Sequence, residues 1–507
     1  METIKLIGRS SRLSLLQIDI VRKKIQSVFP QIKVEVIARS SKGDALQDIP
    51  LHTVEGSDFF TQDIFDALAN GEADIAVHSL KDMSSEHFFG KNRFAVVDRD
   101  DARDVVIFSR DIEEKLRRNE VIIIGTCSPR REEMATVFLK KSLPQLNAEI
   151  RIETRPIRGN VETRLKKLNS GEYDATILAT AGLNRLLRSG EDAGLIRALL
   201  ADKKLMLLPM IECVPAPCQG AIVAEAVFSN EKAIKVLERI NDKELFADCD
   251  AEKKEAVKYG VGCIQRFGVT SLHTRRESYL YASGRDAGGT MFEKWDPLPD
   301  NSLKKGNLFS STAVMKDFFE YEWNDRVIKI EQPVLFVANY KSLQNLSANE
   351  IKHKTILVSG TKTWLELAKQ GYWVTGSADA LGFEFLLPSL KMPLLGIDAG
   401  TICIITNAVA AERWKQKGYN AIGNYSLKPT HNRMIKESIA SADAVFWSSY
   451  PQFEFYGEYS KQGVKHLCAG GETAELLKRA GIDPVIFPTI KSFEQWKLIS
   501  GHSHSAA

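Results

Sequence analysis

Asp82 closes the stretch Ile75-Ala76-Val77-His78-Ser79-Leu80-Lys81-Asp82, and of the carboxylates in the chain it is the one best placed to do chemistry. Ala73 to Val77 is small or apolar apart from Asp74, and polar side chains then arrive abruptly. That pattern reads as a buried strand delivering polar groups at its carboxyl end, where open α/β sheets bind ligands. An ordinary strand-to-loop transition with a helix-capping Asp fits the octapeptide equally well. Arg9, Arg130, Arg131, Arg151, Arg155, Arg158, Arg164 and Arg185 fall in turn-like or helix-starting segments. Clustered guanidinium groups suit planar carboxylates or phosphates, whereas any single arginine is most simply solvated surface. In Gly260-Val261-Gly262-Cys263 the glycines expose backbone and leave room around the sulfur.

The elements that must hold these residues alternate between strand and helix. Lys5 to Gly8 reads as a strand, Gly8 to Ser11 as a turn, and Leu13 to Phe29 as a helix with Leu13, Leu16, Ile20, Ile25 and Val28 at helical spacing. A strand, a polar turn and a helix start leave backbone N–H groups free for an anion. Lys33 to Arg39 is the next strand, and the helix Thr61 to Asn70 leads into the Asp82 stretch. Val121 to Ile124, ending in Gly125-Thr126-Cys127-Ser128-Pro129-Arg130-Arg131, repeats the strand–turn–helix logic, and so does the segment from Ile157 to Arg164. The alternation predicts an α/β protein. Val97 to Asp104 reads as a charged crossing between strands and Pro215 to Gly220 as a stiff connector, two candidate hinges.

At 507 residues the chain is too long for one core, and roughly three or four domains are expected. Hydrophobic residues make up 44% and charged residues 26%, the composition of a globular protein, and the net charge of +3 gives no general affinity for nucleic acid. No apolar run reaches the roughly 20 residues that span a bilayer, and Glu2 with no long apolar core argues against a secretory signal. Seven irregularly spaced cysteines with no CxxC pair suggest neither a disulfide framework nor a zinc site, so a reduced cytoplasmic setting and no metal are expected.

Pro297 to Ser302 reads as a linker. Beyond it the arginine clusters stop and an internal duplication is visible. Leu308 to Val314 echoes Val445 to Tyr450, and Ile356 to Thr363 echoes His466 to Thr473, which predicts two similar α/β lobes with a cleft between them.

Taken together, GRSSRLSLLQ (8–17), FFTQDIFDALANGEADIAVHSLKDM (59–83), IGTCSPRR (124–131), RGNVETRLKKLNSGEYDATILATAGLNRL (158–186), CQGAI (218–222) and GVGC (260–263) resemble hydroxymethylbilane synthase, also called porphobilinogen deaminase. The resemblance covers most of residues 1–295. It implies two periplasmic-binding-protein-like lobes, 1–97 returning at 221–241 and 98–220, followed by a small α+β domain at 242–296 carrying the cofactor cysteine. It implies a monomeric cytoplasmic enzyme that joins four porphobilinogens into hydroxymethylbilane and releases ammonia, with no nucleic-acid or membrane partner. Its primer would be a dipyrromethane on Cys263, the other cysteines being packing residues. The resemblance assigns catalysis to Asp82. It assigns cofactor binding to Cys263, Lys81, Ser128, Arg130, Arg131 and Arg158, and substrate binding to Arg9, Ser11, Arg158, Arg164 and Arg185. Gly56-Ser57-Asp58 and Gln62 depart from the family pattern, which has lysines there, and Arg266 replaces a proline; Arg266 or Lys42 could make up the lost charge.

Residues 301–507 are similar to uroporphyrinogen-III synthase, best in GGETAELLKRAG (470–481), which implies a two-lobed α/β region that cyclises hydroxymethylbilane to uroporphyrinogen III. Tyr425, Thr473, Ser449 and Ser310 match polar positions near that family's cleft, although helix capping explains such hydroxyls as well. A bifunctional enzyme, a deaminase with a non-catalytic C-terminal region, and a non-enzymatic binder of acidic small molecules are the three expectations to be separated.

Overall fold

The computed structural model describes residues 2–40, 62–90, 92–147, 149–260, 265–275, 277–299, 306–324 and 328–499. The chain divides into two compact units. The first is Met1–Leu272 with Leu280–Lys294 and Lys391–Gly396; the second is His273–Tyr279, Trp295–Leu390 and Ile397–Ala507. Both are mixed α/β.

Two five-stranded sheets form the lobes of the first unit. In the first lobe the order is Lys33–Arg39, Thr3–Arg9, Ile75–Ser79, Ala221–Ala226, Arg93–Arg99. Ile75–Ser79 is central: it runs parallel to Thr3–Arg9 and antiparallel to Ala221–Ala226, with Ile222 opposite Ser79. Covered on both faces, its first four residues are all buried, which is why the stretch is a continuous run rather than an alternation. The second lobe has the order Ile152–Arg155, Ile122–Gly125, Ala175–Ala179, Asp104–Phe108, Lys204–Leu207.

The helix Arg12–Val28 carries two apolar faces. Ser14, Gln17, Ile18, Val21 and Ile25 are buried, and Ile18, Val21 and Ile25 join Ile4, Leu6 and Val77 in the first-lobe core. Leu13 and Leu16, expected on that same stripe, instead pack with Leu165, Leu178 and Leu183 of the second lobe. One helix therefore belongs to both cores.

Two chain crossings join the lobes. Strand Arg93–Arg99 ends in one sheet and Asp104–Phe108 begins in the other; the return runs from Lys204–Leu207 to Ala221–Ala226. The crossings touch where Asp100 N donates to Gly220 O at 3.2 Å. Gly220 has φ +87°, and a Cβ there would stand 2.4 Å from Asp100 O, so both conformation and space demand glycine.

Helix Lys243–Val257 and the sheet Arg266–His273, Ser278–Arg285, Met291–Asp296 follow. Glu252 pins this part to the crossings. Fully buried, it accepts from Arg99 Nη1 and Nη2 at 2.9 and 3.1 Å and from Cys218 N and Ser271 N at 2.6 Å each. Burial alone lowers the Arg99 pKa, but the facing Glu252 charge outweighs it and holds the guanidinium firmly protonated.

The second unit holds a six-stranded sheet, in the order Phe319–Trp323, Asn420–Pro429, Ile402–Asn407, Val334–Val337, Thr355–Val358, Val374–Ser377. A four-stranded sheet runs Leu308–Ser310, Ala444–Trp447, Lys465–Ala469, Val485–Phe487. The duplication is realised only in part. Thr355–Val358 and Lys465–Ala469 lie in different sheets, each followed by a helix (Thr361–Lys369 and Glu472–Arg479). Leu308–Ser310 and Ala444–Trp447, however, are parallel neighbours in one sheet rather than counterparts in two lobes. They look alike because neighbouring buried strands face the same packing demands.

Candidate active site

A cavity of about 650 Å³ opens in the first unit beneath the carboxyl ends of its strands. Ser79 ends the strand Ile75–Ser79, and the single 3-10 turn Leu80–Asp82 presents Lys81 and Asp82 to it. Leu80 is fully buried and anchors that turn, while Asp82 is exposed in the cavity wall. Burial pushes the Lys81 ammonium below the usual lysine pKa, Asp82 opposes this, and Arg131 adds to it.

Arg9, Ser11, Lys81, Asp82, Arg131, Arg158, Arg164 and Arg185 all line this one cavity. Arg9 ends strand Thr3–Arg9, Ser11 lies just before helix Arg12–Val28, and Arg158 comes from the turn before helix Val161–Asn169, which Arg164 joins. Arg164 Nε donates to Gly159 O at 2.9 Å. Burial, then the neighbouring Arg131 and Arg158 charges, lower its pKa. Arg185 donates to Gly220 O at 2.6 Å and to Asp98 at 3.2 Å. Among the described residues, the Nε atoms of Arg131 and Arg185 are buried without a hydrogen-bond partner.

Arg130 and Ser128 stand apart from this group. Arg130 donates to Asp104 at 2.7 Å and to Val214 O at 2.6 Å, and is not part of the cavity wall. Its guanidinium is engaged by these two partners. Ser128 caps helix Pro129–Ser142, its Oγ accepting from Arg131 N at 3.4 Å. Arg131 shares Asp104 with Arg130, at 2.8 Å. Burial alone would raise the Asp104 pKa, but the two guanidinium groups hold it far below the usual carboxylate range. Cys127, expected as packing, is half-buried in the cavity wall and donates to Ile157 O at 3.1 Å. Cys213, Cys218, Cys249, Cys403 and Cys468 are buried. Cys263, Gly56 to Asp58 and Lys42 lie outside the described residues; Gln62 begins helix Gln62–Ala69, and Arg266 is an exposed strand residue.

Several groups that hold the site were not singled out from sequence. Glu225 is fully buried on the strand beside Ile75–Ser79 and accepts from His87 Nε2 at 2.6 Å and from Asn92, with His78 Nε2 at 3.2 Å. His87 stacks on Phe65, centroids 3.8 Å apart. Burial would raise the Glu225 pKa, but the histidines bring it down to about 2. Glu225, alone in the apolar run Ala221 to Val227, carries a signal readable as a buried ion-pair partner, whereas Asp104 and Glu252 lie in charged segments that hide them.

The family model described as "Porphobilinogen deaminase, dipyromethane cofactor binding domain" matches residues 4–235. The chain is 32% identical over 289 residues to a probable porphobilinogen deaminase of Pyrobaculum islandicum, covering 57% of this chain and 89% of that one. The chain belongs to the porphobilinogen deaminase family. A porphobilinogen deaminase of Thiobacillus denitrificans is 33% identical over 305 residues, with 60% of this chain and 87% of the relative covered. One from Chromobacterium violaceum is 34% identical over 263 residues, covering 52% and 78%. The family's cofactor fits what lines the cavity. A two-pyrrole group carries several carboxylates, and the wall offers guanidinium groups with buried donors still open on Arg131 and Arg185.

In the second unit, Ser310 ends one strand, Ser449 follows its parallel neighbour and Thr473 follows the next one, so all three sit at the carboxyl edge of the four-stranded sheet. Ser310 Oγ pairs with Thr312 Oγ1 at 2.6 Å. Ser449 begins helix Tyr450–Tyr456, and Gln452 Oε1 accepts from Ser449 N at 3.1 Å. Tyr425 lies on the other sheet, opposite Trp323, buried near Asn407 and Ser342; burial raises its pKa. A small cavity of about 80 Å³ lies between Leu381 to Phe385 and Gly470 to Glu475, and none of these four hydroxyl residues lines it. Among the described residues no cluster of three or more His, Cys, Asp or Glu could hold a metal, and no helix is long and apolar enough to cross a membrane.

Proposed function

We propose that the chain polymerises four porphobilinogens into hydroxymethylbilane with loss of ammonia, and then closes this product to uroporphyrinogen III. The observation that carries the first half is convergence: Asp82 and the guanidinium groups of Arg9, Arg131, Arg158, Arg164 and Arg185 share one cavity. Ammonia loss leaves a cationic pyrrole species, and a fixed carboxylate stabilises such a cation where it forms. Asp82 supplies that carboxylate and hydrogen-bonds the pyrrole N–H groups. The arginines bind acetate and propionate side chains, with Lys81 as a further donor. Bound through Cys263, the dipyrromethane supplies a fixed pyrrole from which the chain grows. Arg131 and Arg158 are the residues that hold its carboxylates. The enzyme works as a monomer in the cytosol on free porphobilinogen.

The second half rests on the likeness of residues 301–507 to uroporphyrinogen-III synthase and on the hydroxyls gathered at one sheet edge. Fusion would keep hydroxymethylbilane near the site that closes it. A second reading, a deaminase with a non-catalytic C-terminal region, is favoured by the bond that occupies the Ser310 hydroxyl, to Thr312 Oγ1 at 2.6 Å. Intact mass tests the first half: absence of a two-pyrrole adduct sinks it. Incubation with porphobilinogen followed by isomer analysis tests the second, and uroporphyrinogen I alone would leave the non-catalytic reading.

A further inference from the structure

Arg12 is the first residue of its helix and belongs to the first lobe. Asp192, just before helix Ala193–Leu200, belongs to the second. Arg12 Nε donates to both Asp192 oxygens, at 2.9 and 2.8 Å, and Nη2 donates to Glu191. Arg12 and Asp192 both line the cavity, beside Leu13 and Leu195. The lobes touch here, since a Cβ on Gly182 would stand 3.5 Å from Leu13.

The bridge differs in kind from the buried pairs behind the site. The Arg130 and Asp104 side chains are 4% and 0% exposed, whereas those of Arg12, Asp192 and Glu191 are 41%, 20% and 81% exposed. Water-exposed ion pairs are worth little and exchange partners freely. The cavity must also hold a ligand whose charge grows, since each added porphobilinogen brings an acetate and a propionate. Arg130 and Arg131 already share the buried Asp104, whereas Arg12 is held by acids more exposed than Asp104 and can change partner.

We propose that Arg12 is a substrate-binding residue held in reserve, its guanidinium passing from Asp192 and Glu191 to a carboxylate of the lengthening oligopyrrole. This rests on the deaminase reading. The exchange moves no proton: the guanidinium stays charged, and the freed acids return to water. The acidic pair is then a placeholder that competes with substrate.

The test uses the full-length protein carrying its adduct, with Arg12→Gln, Arg12→Lys and the double variant Asp192→Asn/Glu191→Gln. Losing the cation should raise KM for porphobilinogen about tenfold, as losing one charged hydrogen bond does. It should also leave more enzyme with unfinished chains by intact mass. Arg12→Lys should fall between wild type and Arg12→Gln, and it carries the test if the glutamine variant melts early. Removing the placeholders should lower KM. A mere clamp between lobes would shift both sides of the bridge in the same direction, and that result, or no change in either, overturns the proposal. Wild-type protein without a two-pyrrole adduct would overturn the deaminase reading itself, a separate outcome.

Discussion

Glu225 accepts a hydrogen bond from His87 Nε2 at 2.6 Å while fully buried, one strand away from the residues that lead to Asp82. The carboxylate therefore ties the strand leading to Asp82 to the short helix Ser85–Phe88 and, through the His87 ring, to Phe65. Its acidity makes this tie measurable.

The Glu225 pKa falls from 4.5 to about 2 on folding, because its histidine partners outweigh burial. A depressed carboxylate stabilises the fold above its unfolded pKa, and that stability is lost as pH falls from about 4.5 to about 2. The full amount is on the order of 3 kcal/mol. Glu225→Gln should be less stable than wild type near neutral pH, with the gap closing across that acid window. Denaturant melts at a series of pH values read it directly, and a gap that stays constant with pH contradicts the assignment.

Two charge changes near the cavity should act on different quantities. Asp104→Asn strands Arg130 and Arg131 in the interior and should cost about 3–5 kcal/mol of folding stability. Arg164 donates only to Gly159 O among its described contacts and is already disfavoured by Arg131 and Arg158. Arg164→Gln should therefore leave the melting temperature unchanged or higher while raising KM for porphobilinogen. Thermal melts beside steady-state kinetics separate the two effects.

Asp82 is exposed in the cavity wall and its turn is held by Leu80, so Asp82→Asn removes the charge without disturbing the fold. Turnover should fall by about 10²–10³, the usual cost of one preorganised electrostatic group. The dipyrromethane adduct and the melting temperature should be retained. Near-normal rates of ammonia release would remove Asp82 from the mechanism.

Tyr425→Phe tests the C-terminal half without touching the first unit. Porphobilinogen consumption should stay at the wild-type rate while the product shifts toward uroporphyrinogen I. Chromatography of the oxidised porphyrin isomers gives the ratio, and an unchanged ratio removes Tyr425 from ring closure.

Much of the first unit was legible because backbone periodicity dictates it. The apolar run before His78 reads as a strand covered on both faces, and its carboxyl end points to Asp82 as a candidate. Arg130 and Arg131 show the limit. They are adjacent in sequence, yet successive helix residues point about 100° apart. One guanidinium therefore turns inward to Val214 O while the other reaches the cavity wall. The two-faced helix Arg12–Val28 and the Arg12–Asp192 bridge depend on a partner some 180 positions away. Nothing local encodes such a contact. The duplicated motif misled for a related reason, because strand composition reports burial and not which sheet a strand joins.

The contact that laces the two interlobe crossings together is made by Asp100 N to Gly220 O at 3.2 Å, Gln219 Nε2 to Ala102 O at 2.6 Å and Arg99 Nε to Gln219 O at 3.3 Å. Two struts fixed to each other there behave as a flexure with one soft axis. The lobes can tilt about that axis, but sliding past one another would tear the contact open. Groups bonded at that pivot, Arg185 on Gly220 O among them, would stay nearly fixed in such a tilt, while residues far from it would travel furthest.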